Sequence, residues 1–135
     1  MTVSPQQYLA IAQTLLQHQD EMHDRSATNR AYYGAFHACK NLASTFNLDQ
    51  YAKGRGTHHR LITALQHIPL SDQEGPNRDQ TLRIRQVGVL LPTIKSLREA
   101  ADYNIVNNYP EKHAERAVQL SQEIIHIVDQ LCTTT

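Results

Sequence analysis

Residues 29–37 read Asn29-Arg30-Ala31-Tyr32-Tyr33-Gly34-Ala35-Phe36-His37. Around this stretch apolar and small residues recur at helical spacing: Ala27, Ala31, Gly34, Ala35, Ala38, Leu42 and Phe46. The spacing predicts one long helix with a narrow apolar face, capped by Asp24 or Ser26. Gly34 costs about 1 kcal/mol in helix propensity relative to alanine. Its presence therefore predicts a tight contact, either within the chain or with a second protomer. Arg30 and His37 lie nearly two turns apart and share one stripe, with Tyr33 and Gly34 between them. A charge on such a helix needs a partner, because an unpaired buried charge is costly.

Working outward, helix signals dominate. Ser4-Pro5 is a cap followed by proline at the first helical position, and Tyr8, Leu9, Ala12, Leu15 and Leu16 continue one apolar face to about His18. Residues 47–56 read as a loop, and Thr57 as the cap of a short helix with Leu61, Ile62, Leu65 and Ile68 inside. A polar connection, Pro69 to Asn77, leads to a long helix from about Arg78 to Asn104. Its predicted inner face is Leu82, Val87, Leu90, Leu91, Ile94, Leu97 and Ala101, and Pro92 is expected to kink or interrupt it. Asn107-Asn108-Tyr109-Pro110 breaks the chain before a last helix with Ala114, Ala117, Val118, Ile124, Ile125, Val128 and Leu131 inside. No segment alternates with the period of a strand. The fold class is all-α: a four- or five-helix up-and-down bundle in one domain, residues 1–135.

Hydrophobic residues make up 40% of the 135, enough for a core, and charged residues only 19%. Formal net charge is zero, so no overall polyelectrolyte character points to a nucleic acid. The charge is nevertheless uneven. Lys53 to Arg98 holds eight basic and three acidic residues, a net of +5, and the remainder carries −5. That split permits a basic face able to meet phosphates, or an ordinary charged helix surface. Cys39 and Cys132 make neither a disulfide framework nor a metal spacing. With no signal-like start and no apolar run approaching about 18 residues, a soluble cytoplasmic protein is expected, without membrane contact.

Three constellations could carry chemistry. Arg30 with His37 suits phosphodiester chemistry: a guanidinium holds phosphate oxygens and an imidazole moves a proton near neutral pH. In RNA the adjacent 2′-hydroxyl can be the nucleophile, so no metal is required. The alternative is that Arg30 pairs with a carboxylate and His37 is a hydrogen-bonded core residue. Arg98, Asp102 and Tyr103 form the second group. Arg98 and Asp102 are four apart and can pair, either as a salt bridge closing the bundle or as part of a phosphate site. Gly54-Arg55-Gly56-Thr57-His58-His59-Arg60 is the third, a glycine-flanked basic loop entering a helix, where Arg55, His58 and Arg60 could bind an anion. It lacks Walker spacing. His18, His23, His67, His113 and His126 complete no metal-ligand pattern, and no cofactor is expected.

These stretches resemble the HEPN domain superfamily, and more narrowly the small stand-alone bacterial and archaeal HEPN proteins encoded beside minimal nucleotidyltransferases. The likeness covers essentially the whole chain. It rests on Ser4-Pro5…Tyr8-Leu9…Ala12…Leu15-Leu16 and on Arg25-Ser26-Ala27…Arg30-Ala31-Tyr32-Tyr33-Gly34-Ala35-Phe36-His37-Ala38. Gly56-Thr57-His58 resembles the family's Gly-Ser-His segment, and Leu97-Arg98-Glu99-Ala100-Ala101-Asp102-Tyr103 its Leu-Arg-x-x-Ala-Asp-Tyr segment. The resemblance implies a helical bundle, usually a homodimer. It also implies an RNA-related role: a metal-independent endoribonuclease toxin of a toxin–antitoxin or defence system. The alternative is a non-catalytic module that pairs with a nucleotidyltransferase or binds nucleotide or RNA.

Catalytic members use an Arg-x(4–6)-His motif on the late helix. Here Arg98 fits the arginine, but the histidine positions hold Tyr103, Asn104 and Ile105. An Arg-x(6)-His spacing runs from Arg30 to His37 on the early helix. Three arrangements stay open: the pair sits on the early helix, arginine and histidine come from different helices, or the site is inactive. The candidate catalytic set is Arg30, His37, Arg98 and Tyr103, supported by Tyr33 and Asp102.

Overall fold

In the computed structural model, which describes residues 3–70 and 75–133, the chain is a bundle of five α-helices. They are α1 (Pro5–Leu16), α2 (Glu21–Thr45), α3 (Thr57–His67), α4 (Arg78–Tyr103) and α5 (Glu111–Thr133), with a 3-10 turn at Leu48–Tyr51. No strand occurs among the described residues. Part of the polar connection expected over 69–77 lies outside them.

Local chemistry sets the helix starts. Ser4 and Gln7 form a reciprocal capping box on α1, as do Asn77 and Gln80 on α4. α2 begins earlier than Asp24 or Ser26 would allow. Its cap is Asp20, whose carboxylate accepts from the His23 N–H at 2.9 Å. Gln19, with φ of 56°, reverses the chain just before it. Asp24 is instead an interior residue, 4% exposed. α3 is entered through Gly56 at φ +89°, a conformation other residues rarely adopt, and Thr57 is its first residue rather than its cap.

The central helix is α2, which packs against α1, α3, α4 and α5. Its own Tyr32 and Leu42 are fully buried, as are Leu65, Ile84, Leu91, Ile94, Leu120 and Ile124 of the other helices. The tight contact expected at Gly34 lies within the chain. A Cβ there would stand 3.0 Å from the Tyr8 Cβ and 3.1 Å from the Pro5 carbonyl oxygen, so the glycine is where α1 crosses α2.

Pro92 does not interrupt α4, which continues as one helix from Arg78 to Tyr103. A proline leaves the carbonyl four residues back without its helical donor. That carbonyl is Gly88, and the Gln66 amide of α3 donates to it at 3.0 Å. Gly88 also lets α3 approach closely, since a Cβ there would meet Leu65 at 3.1 Å. Leu82, expected inside, is 45% exposed. The buried stripe runs through Thr81, Ile84, Val87, Gly88, Leu91 and Ile94, and residue 82 is rotated about 100° from Thr81.

Two stability effects follow. Gly34→Ala gains about 1 kcal/mol of helix propensity but incurs an overpacking cost of about 1–3 kcal/mol. The net is a lower thermal midpoint, measurable by circular dichroism. Asp24 is the second case: burial raises its pKa above the ordinary carboxylate value, and Glu111, Asp20, Glu115 and Glu21 add to the effect. A carboxyl so shifted costs the fold stability as pH rises from the ordinary carboxylate value through its folded pKa, because the buried charge opposes folding. Asp24→Asn is therefore stabilising at about pH 8, and the gain shrinks on acidification to about pH 4. Equal shifts at both pH values would refute the assignment.

Candidate functional site

The site is built on one stripe of α2: Arg25, Asn29, Tyr32, Tyr33 and Phe36 recur every three or four residues. The last turns of α4 lie across it and bring Arg98, Asp102 and Tyr103; the first turn of α3 brings His58.

Arg98 is the centre. It is 8% exposed, and its guanidinium carbon lies 5.1 Å from the Tyr32 ring centroid, 5.8 Å from Tyr33 and 5.7 Å from Tyr103. Nη1 donates to the Tyr103 hydroxyl at 3.3 Å and stands 3.6 Å from Asp102 Oδ2. Nε is buried with no hydrogen-bond partner. Burial works against the charge. The Tyr103 hydroxyl, Tyr33 and Asp102 outweigh it and hold the pKa above its ordinary value. A guanidinium whose nearest carboxylate stands 3.6 Å away keeps its charge for an anion that reaches it.

Asp102 connects this group to Arg30. Asn29 Nδ2 donates to Asp102 Oδ2 at 3.0 Å, and Arg30 Nη1 donates to Asn29 Oδ1 at 3.3 Å. Arg30 itself is exposed. Arg30, Asn29 and Asp102 line a groove of about 460 Å³ with Glu21, Met22 and Ile105.

His58 belongs to the same cluster. Its ring stacks on Phe36 at 4.3 Å and on Tyr32 at 5.5 Å, and meets the edge of Tyr33 at 6.1 Å. Its Nδ1 is hydrogen-bonded to the fully buried Tyr32 hydroxyl. Burial, Arg98 and Lys95 lower its pKa, against a smaller opposing effect of Glu99, so the neutral imidazole is favoured. Tyr32 is pushed well above the ordinary phenol range, chiefly by burial, and stays un-ionised.

The remaining candidates are placed differently. His37 faces α1, its ring stacked 5.4 Å from Tyr8, and burial with Lys40 lowers its pKa. It reaches Tyr33 at 6.4 Å and Phe36 at 5.6 Å. Arg55 is exposed. Arg60 donates to the Gly54 carbonyl at 3.2 Å and stands 3.7 Å from Asp49, in a second groove with Lys40 and Thr57. The 54–60 loop is thus divided, with His58 joining Arg98 and Arg60 turned elsewhere. Among the described residues no group of three His, Cys, Asp or Glu side chains could hold a metal ion.

Sequence reading assigned no role to Arg25, Asn29, Tyr32 or Phe36. The signal was their shared spacing with Tyr33. Arg25 is 7% exposed. It donates to the carbonyls of Ala101 at 2.8 Å, Asn104 at 3.2 Å and Asn107 at 2.7 Å, closing the C-terminus of α4. Comparison of the chain with protein-family models, with curated proteins and with solved structures finds no match.

Arg25→Ala strands the buried Ala101 carbonyl, at about 1–3 kcal/mol, and hands the Asn104 and Asn107 carbonyls to water. The expected result is a fall of several degrees in thermal midpoint. Hydrogen exchange should show faster opening confined first to residues 100–107. Uniform opening of the whole bundle would show that Arg25 does not act at the helix end.

Proposed function

We propose that this chain is a HEPN-type RNA-targeting protein that cuts single-stranded RNA without a metal, using the Arg98 cluster as its phosphate site. The observation carrying this reading is the buried Arg98 guanidinium, its Nε unpartnered, set among three tyrosine rings beside a neutral imidazole. A cation for phosphate and open aromatic faces for bases are the ingredients of single-strand recognition. Tyr103 is 72% exposed and serves as the stacking face. Arg30, along the Asn29–Asp102 line, meets the neighbouring phosphate. The resemblance of residues 25–38 and 97–103 to HEPN proteins supports the same reading. The 2′-hydroxyl attacks the adjacent phosphorus, which leaves a 2′,3′-cyclic phosphate and a 5′-hydroxyl. Arg98 stabilises the added negative charge, a preorganised contact that gains strength away from water.

A second reading is favoured by one observation. Met22, Tyr103, Ile105 and Val106 are exposed by 70, 72, 75 and 88%, an apolar surface beside the groove. It suits a non-catalytic module, in a homodimer or docked on a nucleotidyltransferase.

Labelled single-stranded RNA incubated with the protein in EDTA separates the two. Cleavage lost in Arg98→Ala, with the fold intact by circular dichroism, is the expected result. Tyr103→Ala should weaken binding of an uncleavable 2′-deoxy oligonucleotide about tenfold, within the range for one stacked base. Absence of cleavage and of oligonucleotide binding by the parent protein would leave the docking module. Co-purification with a co-expressed nucleotidyltransferase, lost in Ile105→Asp, would then support it.

A further inference from the structure

We infer that His58, brought from α3 to the same tyrosine pair as Arg98 and held by Tyr32, is the general base of this site, so that arginine and histidine are supplied by different helices. The inference rests on the ribonuclease reading above and names its missing proton acceptor.

Three observations carry it. First, Arg98 and His58 share the same two tyrosines. The guanidinium lies 5.1 Å from the Tyr32 ring and 5.8 Å from the Tyr33 ring, and the His58 ring centroid lies 5.5 and 6.1 Å from them. His37 stacks instead on Tyr8 of α1. Second, the imidazole is fixed in orientation, parallel to Phe36 at 18° and to Tyr32 at 13°, with Nδ1 on the Tyr32 hydroxyl. Nε2 lies across the ring from Nδ1 and is the nitrogen left for substrate. Third, burial acts first on His58, and the charged groups acting on it are Arg98 and Lys95, opposed by Glu99, all from α4; from α2 it meets the rings of Tyr32, Tyr33 and Phe36. That balance favours the uncharged, proton-accepting form near neutral pH.

The step uses the His58 tautomer in which Nδ1–H donates to the Tyr32 oxygen, so that the Nε2 lone pair is bare. The 2′-hydroxyl proton passes to Nε2 as the 2′-oxygen bonds to phosphorus. The phosphorus–5′-oxygen bond breaks, and the 5′-oxygen leaves with its electron pair and takes a proton from water. The imidazolium then returns its proton to solvent. Arg98 holds the phosphate throughout. Tyr32 is a positioning residue: it touches His58, not RNA.

The test uses the full chain with labelled single-stranded RNA in EDTA, across a pH series. His58→Gln should cut at least about a hundredfold more slowly, the usual contribution of a general base, while binding the uncleavable 2′-deoxy oligonucleotide like the parent. In the unmodified protein, the His58 pKa followed by NMR should coincide with the acid limb of the pH–rate profile. That readout does not depend on any variant folding. Tyr32→Phe should move the limb to lower pH, because the imidazolium loses its Nδ1 acceptor. Parent-like cleavage by His58→Gln, or an acid limb that follows His37 instead, overturns the assignment and leaves the ribonuclease reading standing. No cleavage by the parent protein overturns both.

Discussion

The rest of the structure depends on how the last turn of α4 is closed. Helices leave their final carbonyls without internal donors, and those carbonyls carry the negative end of the helix dipole. Here the Arg25 guanidinium, projecting from α2, takes the Ala101 carbonyl of that last turn, the Asn104 carbonyl at its cap and the Asn107 carbonyl just beyond. The Tyr109 ring lies 5.5 Å from the same guanidinium, and the Tyr109 hydroxyl bonds Thr28 at 2.9 Å. One side chain therefore ties the middle helix to the end of α4 and to the entry of α5. Asp102 and Tyr103 stand on the turn so secured. Their positions against Arg98 follow from a contact that takes no part in the chemistry.

Around Arg98 the protein solves a different electrostatic problem. A guanidinium 8% exposed ordinarily needs a close carboxylate. Asp102 is 3.6 Å away and already accepts from Asn29. Much of the compensation comes from aromatic faces, whose quadrupoles favour a cation within about 6 Å. Aromatic faces neutralise nothing, so the positive charge remains available to a ligand. A direct bidentate carboxylate would have consumed it.

Helix content, the α1 start and most of the core were legible because they are local: caps, proline at a first turn, periodic apolar residues. Some misreadings were local, such as Leu82 on the wrong side of its helix and Thr57 taken for a cap, and one came from another helix. Asp24 looks like a cap until Gln19 is seen to reverse the chain and Asp20 to take the role. Pro92 looks like a break until Gln66 arrives from another helix to satisfy Gly88. The candidate site was half visible. Arg98, Asp102 and Tyr103 declare themselves by spacing on one helix. The place of His58 depends on how α3 crosses α2, which no spacing along the chain encodes. His59, its neighbour in sequence, instead lies against Gly54.

The same crossing has a consequence for how the chain could be rearranged. α3 and α4 are held in register by side chains: Gln66 on Gly88, and Arg85, whose Nε and Nη2 donate to the Ile68 carbonyl at 2.9 and 2.6 Å. Their mutual placement thus does not rely on the peptide that joins them. Lengthening a connection costs little, about 0.6 kcal/mol per doubling. The connection ahead of Asn77, which caps α4, is accordingly the place to insert a tag or a reporter domain, or to open new termini in a circular permutant, with His58 and Arg98 kept in place.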